Sequence, residues 1–225
     1  LAATLTDHGQ PGRAVLMLEG LLADPVEPLL ERRARHALAT AYSALNRLDE
    51  ARLEFDRAVA ASDTDPDSLV QVLPDRAELR RRLGDAAGAL ADTSRALDVL
   101  EALRAKAAPR DAMKQSFVDQ HRALFNLAIA LRREAGDAAG AFDTAERARA
   151  RAFQDLLASR DAGESAPEGG TAVELASSAS TPSAHFADFA DTVRGLQTTV
   201  LAYWVTDEDT TIWVIAPDRS ITVAR

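Results

Sequence analysis

The sequence predicts a mostly α fold, a superhelix of helical hairpins followed by a small C-terminal antiparallel β-meander that reads as an incomplete α/β domain. Three observations predict it. A short motif, a Gly or Asn followed five residues later by Ala, occurs in four places. Between 161 and 185 the composition turns to Gly, Ser, Ala and Pro without periodicity, which predicts a flexible linker or long surface loop. After it the chain becomes rich in β-branched and aromatic residues in short runs separated by polar turns.

The motif copies are GQPGRA from Gly9, NRLDEA from Asn46, and GDAAGA from both Gly84 and Gly136. Their starts lie 37, 38 and 52 residues apart. Glycine tolerates the left-handed conformation that ends a helix, and Asn is the next-best residue there. Asp85 and Asp137 follow directly and are placed to cap the next helix. The alanine of each copy is small enough to let two helices approach. Each copy therefore predicts a helix–turn–helix hairpin.

Around Asn46, Leu38, Ala39 and Tyr42 precede the turn, and Ala51, Phe55 and Ala58 follow it. The copy at Gly84 keeps Ala77, Ala89 and Ala96 but has Arg80 where an aromatic is expected. The copy at Gly136 keeps Leu127, Ala128, Leu131, Ala141, Ala145 and Ala148, with about one residue inserted before the turn. The first copy is truncated and retains Ala14, Leu18 and Leu21. The longer spacing after Gly84 predicts extended helices over 86–107, stopped near Pro109, and over 111–134. A last helix is predicted from Ala138 to Ser159.

Beyond the linker, Phe186, Phe189, Val193 and Leu196 fall on one face of a short amphipathic helix. Strands are predicted over Thr198 to Val205, Thr210 to Ala216 and Ser220 to Ala224. The turns between them are Asp207 to Asp209 and Pro217 to Arg219. Trp204 and Trp213 are expected on facing strands, packed into a core. Three short strands and one helix are too little to bury a core alone, so this segment reads as the opening of a larger domain.

Bulk properties narrow the function. The 225 residues are 47% hydrophobic and 27% charged, with net charge −9. An acidic chain without a basic run is a poor partner for nucleic acid. There is no cysteine, which excludes disulfides, thiolate metal sites and a cysteine nucleophile within the chain. No apolar run approaches the ~20 residues needed to cross a bilayer, and no signal peptide is visible, so a cytoplasmic setting is expected. Leu1 falls within a helical pattern, which suggests a piece of a longer protein. Lysine occurs only at Lys106 and Lys114 among 26 basic residues, a bias expected of a GC-rich, bacterial genome.

The spacing of the copies resembles the tetratricopeptide repeat (TPR), over roughly residues 1–160. In that family the first helix of each hairpin lines a concave face. The resemblance implies Arg33, His36 and Thr40 as groove-facing in one repeat, Gln71, Glu78 and Arg81 in the next, and Arg122, Phe125 and Arg132 in the third. Two readings fit these positions. One is a groove whose four arginines suit an acidic or carboxylate-bearing peptide. The other is an ordinary solvated helix surface with internal salt bridges. The lysine and asparagine pattern of repeats that clamp chaperone C-termini is absent, so no chaperone partner is expected.

AERARARAFQDLLASR, from Ala145 to Arg160, followed by a linker, VLAYWV, an acidic turn and IWVI, is similar to the junction of CHAT-domain proteins, which join TPR arrays to a caspase-like cysteine peptidase domain. That resemblance implies a peptidase domain beyond this chain and a regulatory or recruiting role for the repeats. His8, His36, His121 and His185 match no catalytic position, so the chain itself is expected not to be an enzyme. The parent as an active cysteine protease and the chain as a structural self-association scaffold are the alternatives. No cofactor is expected. Asp63, Asp65 and Asp67 resemble a calcium loop, but Ser68 and Pro74 stand where such a loop needs Gly and Glu. The scattered histidines lack zinc-ligand spacing.

Overall fold

The computed structural model describes residues 2–106, 117–163 and 185–224. Within them the chain is mostly helical, with nine helices and one three-stranded antiparallel sheet. It divides into two compact units, Leu1–Lys106 and Ala107–Arg225.

The first unit holds α1 (Ala2–Asp7), α2 (Pro11–Leu21), α3 (Pro28–Ala44), α4 (Leu48–Ala61), α5 (Pro66–Arg82) and α6 (Ala86–Lys106). Proline opens α2, α3 and α5, at the position where its missing N–H costs nothing. Gly9, Asn46 and Gly84 take positive φ of 72°, 57° and 79° between paired helices, as the motif requires. The Asp85 carboxylate then accepts the Gly88 N–H at 2.9 Å and caps α6. Gly88 has its own reason to be glycine, since a Cβ there would overlap that capping carboxylate.

The repeat residues fill the core. Leu38, Ala39, Tyr42, Ala51, Phe55 and Ala58 are all buried, as are Ala77, Ala89 and Ala96. Leu21 is a correction. Expected beside Ala14 and Leu18, which are buried, it is 36% exposed.

The second unit holds α7 (Phe117–Glu134), α8 (Ala138–Gly163), α9 (Phe186–Leu196), β1 (Val200–Val205), β2 (Thr210–Ile215) and β3 (Ile221–Ala224). The α7–α8 turn repeats the α5–α6 one: Gly136 has φ 77°, and Asp137 accepts the Gly140 N–H at 2.8 Å. The order is β1-β2-β3, with Ala202 opposite Trp213 and Trp213 opposite Val223.

The core of this unit joins the last hairpin to the sheet. Ile129 from α7, Ala141, Phe142 and Ala145 from α8, Val193 from α9, and Trp213 and Ile215 from β2 form one buried cluster. Phe142 lies edge-on to Phe186 and to Trp213, each with centroids 6.0 Å away. The meander finds its core in the last hairpin. The expected domain boundary at 160 falls inside α8.

Leu196 is also a correction. It is 68% exposed, and Ala190 with Val193 forms the buried side of α9. The expected stop near Pro109, the helix start at 111 and the linker between 164 and 184 lie outside the described residues.

Candidate functional site

The expected groove of the first unit is built on two first helices lying side by side. The His36 and Asp75 side chains meet at 2.6 Å, from Nε2 to Oδ2. Arg82 Nη1 donates to the Ser43 hydroxyl at 2.7 Å, and Nη2 to Asn46 Oδ1 at 3.0 Å. Both His36–Asp75 and Ser43–Arg82 are separated by 39 residues, so α3 and α5 run parallel in register. Residues three or four apart share a helix face. Arg33, His36 and Thr40 on α3 therefore lie beside Gln71, Asp75 and Glu78 on α5, with Arg81 one turn on.

The chemistry of this face is more balanced than four arginines suggest. Arg81 pairs with Glu78 at 3.2 Å, and His36 is engaged with Asp75. Thr40 donates its hydroxyl to the His36 carbonyl at 3.0 Å. Arg33 and Gln71 are exposed.

In the second unit the three expected positions do not form one surface. Phe125 is fully buried, so it is a core residue and lines no groove, which corrects the expectation. Arg132 binds Asp137 at 2.8 Å and so braces the carboxylate that caps α8. Arg122 is exposed.

Several residues that organise the site escape the repeat comparison. Arg76 stands where Leu38 stands one repeat earlier, and Arg80 where Tyr42 stands. Both converge on Asp92, Arg76 at 2.6 Å and Arg80 at 3.0 Å, with the Asp92 side chain only 5% exposed. Arg76 also reaches Asp56 on α4 at 3.0 Å, linking two hairpins. Burial alone would lower the Arg76 pKa, but the Asp92 and Asp56 carboxylates outweigh it and hold the guanidinium charged. Glu54, at the Asp92 position of the preceding repeat, is likewise buried and takes Arg35 at 3.0 Å. A polar residue eight places after the turn (Glu54, Asp92, and the buried Thr144) is the signal that could have revealed this network.

Tyr42 ties α3 to α2 by donating to the Glu19 carboxylate, with the Arg47 guanidinium 4.5 Å over its ring. Burial and the Glu19 contact push its hydroxyl up to about 12.

The carboxylates of the calcium-like segment are engaged by arginines. Asp65 takes Arg32 and Asp63 takes Arg95, each at 2.8 Å. Among the described residues no cluster of acidic or histidine side chains converges to hold a metal ion. No helix among them is long and apolar enough to cross a membrane.

Polar bonds fasten the sheet to the last hairpin. Trp204 Nε1 donates to Asn126 Oδ1 at 2.8 Å, and Trp213 Nε1 to the Ala138 carbonyl at 3.1 Å. Arg133 pairs with Asp209 at 3.2 Å and donates to Thr211 Oγ1 at 3.0 Å. Asp143 accepts the Phe186 N–H, and burial raises its pKa above the usual carboxylate value. Comparison with protein-family models, curated proteins and solved structures finds no match.

Proposed function

We propose that this chain is a protein-binding repeat module of the tetratricopeptide type, continuous with the first strands of a CHAT-like domain. In this reading it recruits or regulates partners for a caspase-type peptidase domain of the same polypeptide. The observation that carries it is the parallel pairing of α3 and α5, which brings the exposed Arg33 and Gln71 onto one face with the His36–Asp75 link one turn on. An extended peptide laid along such a face meets polar groups at a helical-turn spacing on both sides.

The internal pairing of Arg81 narrows the charge preference. Arg33 supplies the readiest cation for an acidic segment. The chain contributes no cysteine nucleophile, so in this reading the cysteine-dependent hydrolysis belongs to another part of the parent protein. The outward side chains of β1, with Leu201 52% exposed and Tyr203 49%, favour a sheet that meets a further partner layer.

The test is an affinity capture from native lysate with the chain and with its Arg33→Glu/Gln71→Glu variant. Helical circular dichroism confirms that both fold. Specific capture of a protein that the variant loses supports the α3–α5 face. Capture that survives the double substitution places binding elsewhere and sinks this assignment.

A further inference from the structure

The backbone geometry of the meander determines which groups of β1 point away from the sheet. The Thr206 N–H donates to the Asp209 carbonyl at 2.8 Å. Hydrogen-bonded and non-bonded pairs alternate along an antiparallel ladder. Counting back from that bond, Trp204, Ala202 and Val200 exchange bonds with Thr211, Trp213 and Ile215. The N–H and C=O groups of Leu201, Tyr203 and Val205 therefore point to the other side, where β1 has no neighbouring strand among the described residues. The β2–β3 side agrees: the Ala216 N–H donates to the Ser220 carbonyl at 3.0 Å, which turns Val214 and Ile212 toward β3.

One of those outward groups is occupied. Arg149 Nη2, on α8, donates to the Tyr203 carbonyl and also pairs with Glu146. A charged side chain over an edge carbonyl is a recognised way of blocking edge-to-edge pairing. The edge beneath it is self-complementary. An antiparallel copy related by a twofold axis through Tyr203 pairs Tyr203 with its own symmetry mate and Leu201 with Val205. No residue from Val200 to Val205 is charged, so such a pair sets no like charges opposite each other. Elsewhere a chain of net charge −9 repels its own kind. Leu201, Tyr203 and Val205 are 52%, 49% and 67% exposed and would form a continuous apolar row across the junction.

We propose that the outer edge of β1 is a self-docking edge held closed by Arg149, and that its occupant is β1 of a second copy of this chain. While the guanidinium sits on the Tyr203 carbonyl, the bond from the symmetry-related Tyr203 N–H cannot form. Releasing Arg149 frees it and joins the two meanders into one six-stranded sheet.

Sedimentation equilibrium tests this on the full chain, on Arg149→Ala, and on Arg149→Ala/Tyr203→Lys, which puts two positive charges on the axis. Removing one charge-assisted bond to the edge should strengthen association by about 10- to 100-fold. Arg149→Ala should then dimerise at concentrations where the parent chain is monomeric, and the double variant should return to monomer. Amide hydrogen exchange supplies a second reading. The Leu201, Tyr203 and Val205 amides should become protected in Arg149→Ala as its concentration rises. Arg149→Ala that sediments as the parent does, or association that survives Tyr203→Lys, overturns the proposal. If Arg149→Ala does not fold, Arg149→Gln with the same exchange measurement decides it: unprotected edge amides at high concentration reject the assignment.

Discussion

At the scale of single residues, the turn motif separates backbone requirements from packing requirements. Nothing lies within 4 Å of a Cβ placed on Gly84 or Gly136, so each is glycine for its positive φ alone. Gly84→Ala should cost about 1–2 kcal/mol, the strain of a left-handed non-glycine residue, in a chemical denaturation curve. Asp85→Ala should cost about 1 kcal/mol through the lost cap. Tyr42 offers a spectroscopic check. In a Tyr203→Phe background the tyrosinate absorbance should rise near pH 12, well above the ordinary phenol. Because the folded-state pKa is raised, Tyr42 contributes its full stability below about pH 10 and loses it as pH climbs toward the folded value. Asp143 follows the same sign lower on the scale. Its raised pKa makes its contribution greatest in acid and smaller as pH rises through the carboxylate range, and Asp143→Asn should flatten that slope. The glycines and aspartates of the turns were legible in the sequence because they act locally. The burial of Phe125 was not, since a helix face is settled by what packs on it.

At the scale of elements, the hairpins are held by two kinds of contact. Small residues let paired helices close up, and buried carboxylates at Asp92 and Glu54 take arginines from the partner helix of the same hairpin, with Arg76 reaching on to the more exposed Asp56 of the hairpin before. Arg80 in place of an aromatic reads as a defect in the repeat until Asp92 is seen between Arg76 and Arg80. Removing one partner from such a pair leaves charge uncompensated, so Asp92→Ala should destabilise by about 3 kcal/mol, with a thermal or denaturant midpoint as the measure. The paired positions are 16 residues apart or less, but only the fold shows that their side chains meet. The strands were legible within one or two residues of their observed ends, because alternation of side chains is a local signal. The expectation that the meander lacks a core was incomplete for the opposite reason. Trp213 and Ile215 bury against Ile129 and Phe142, residues more than 70 positions earlier, and no local pattern encodes that.

At the scale of the whole molecule, the two units carry different reporters. Both tryptophans of the chain, Trp204 and Trp213, lie in the second unit, whereas Tyr42 lies in the first. Substitutions should sort accordingly. Trp204→Phe/Ile215→Ala should shift the remaining tryptophan fluorescence transition, and Gly84→Ala should shift the helical transition while leaving tryptophan fluorescence nearly in place. Coincident shifts by both probes in both variants would show that the units unfold as one.

The shared core of the last hairpin also limits how such a chain can grow or shrink by copying its repeats. Six places after the turn stands Arg52 in one copy, Leu90 in the next and Phe142 in the last. Arg52 reaches into solvent with its side chain 62% exposed, whereas Phe142 has no exposed surface and faces Trp213. A duplicated α3–α4 hairpin set in place of α7 and α8 would bring a guanidinium under the indole where an aromatic ring now packs. The hairpin beneath the sheet is thus matched to its strands through the ring of Phe142, and an α3–α4 copy does not supply that match.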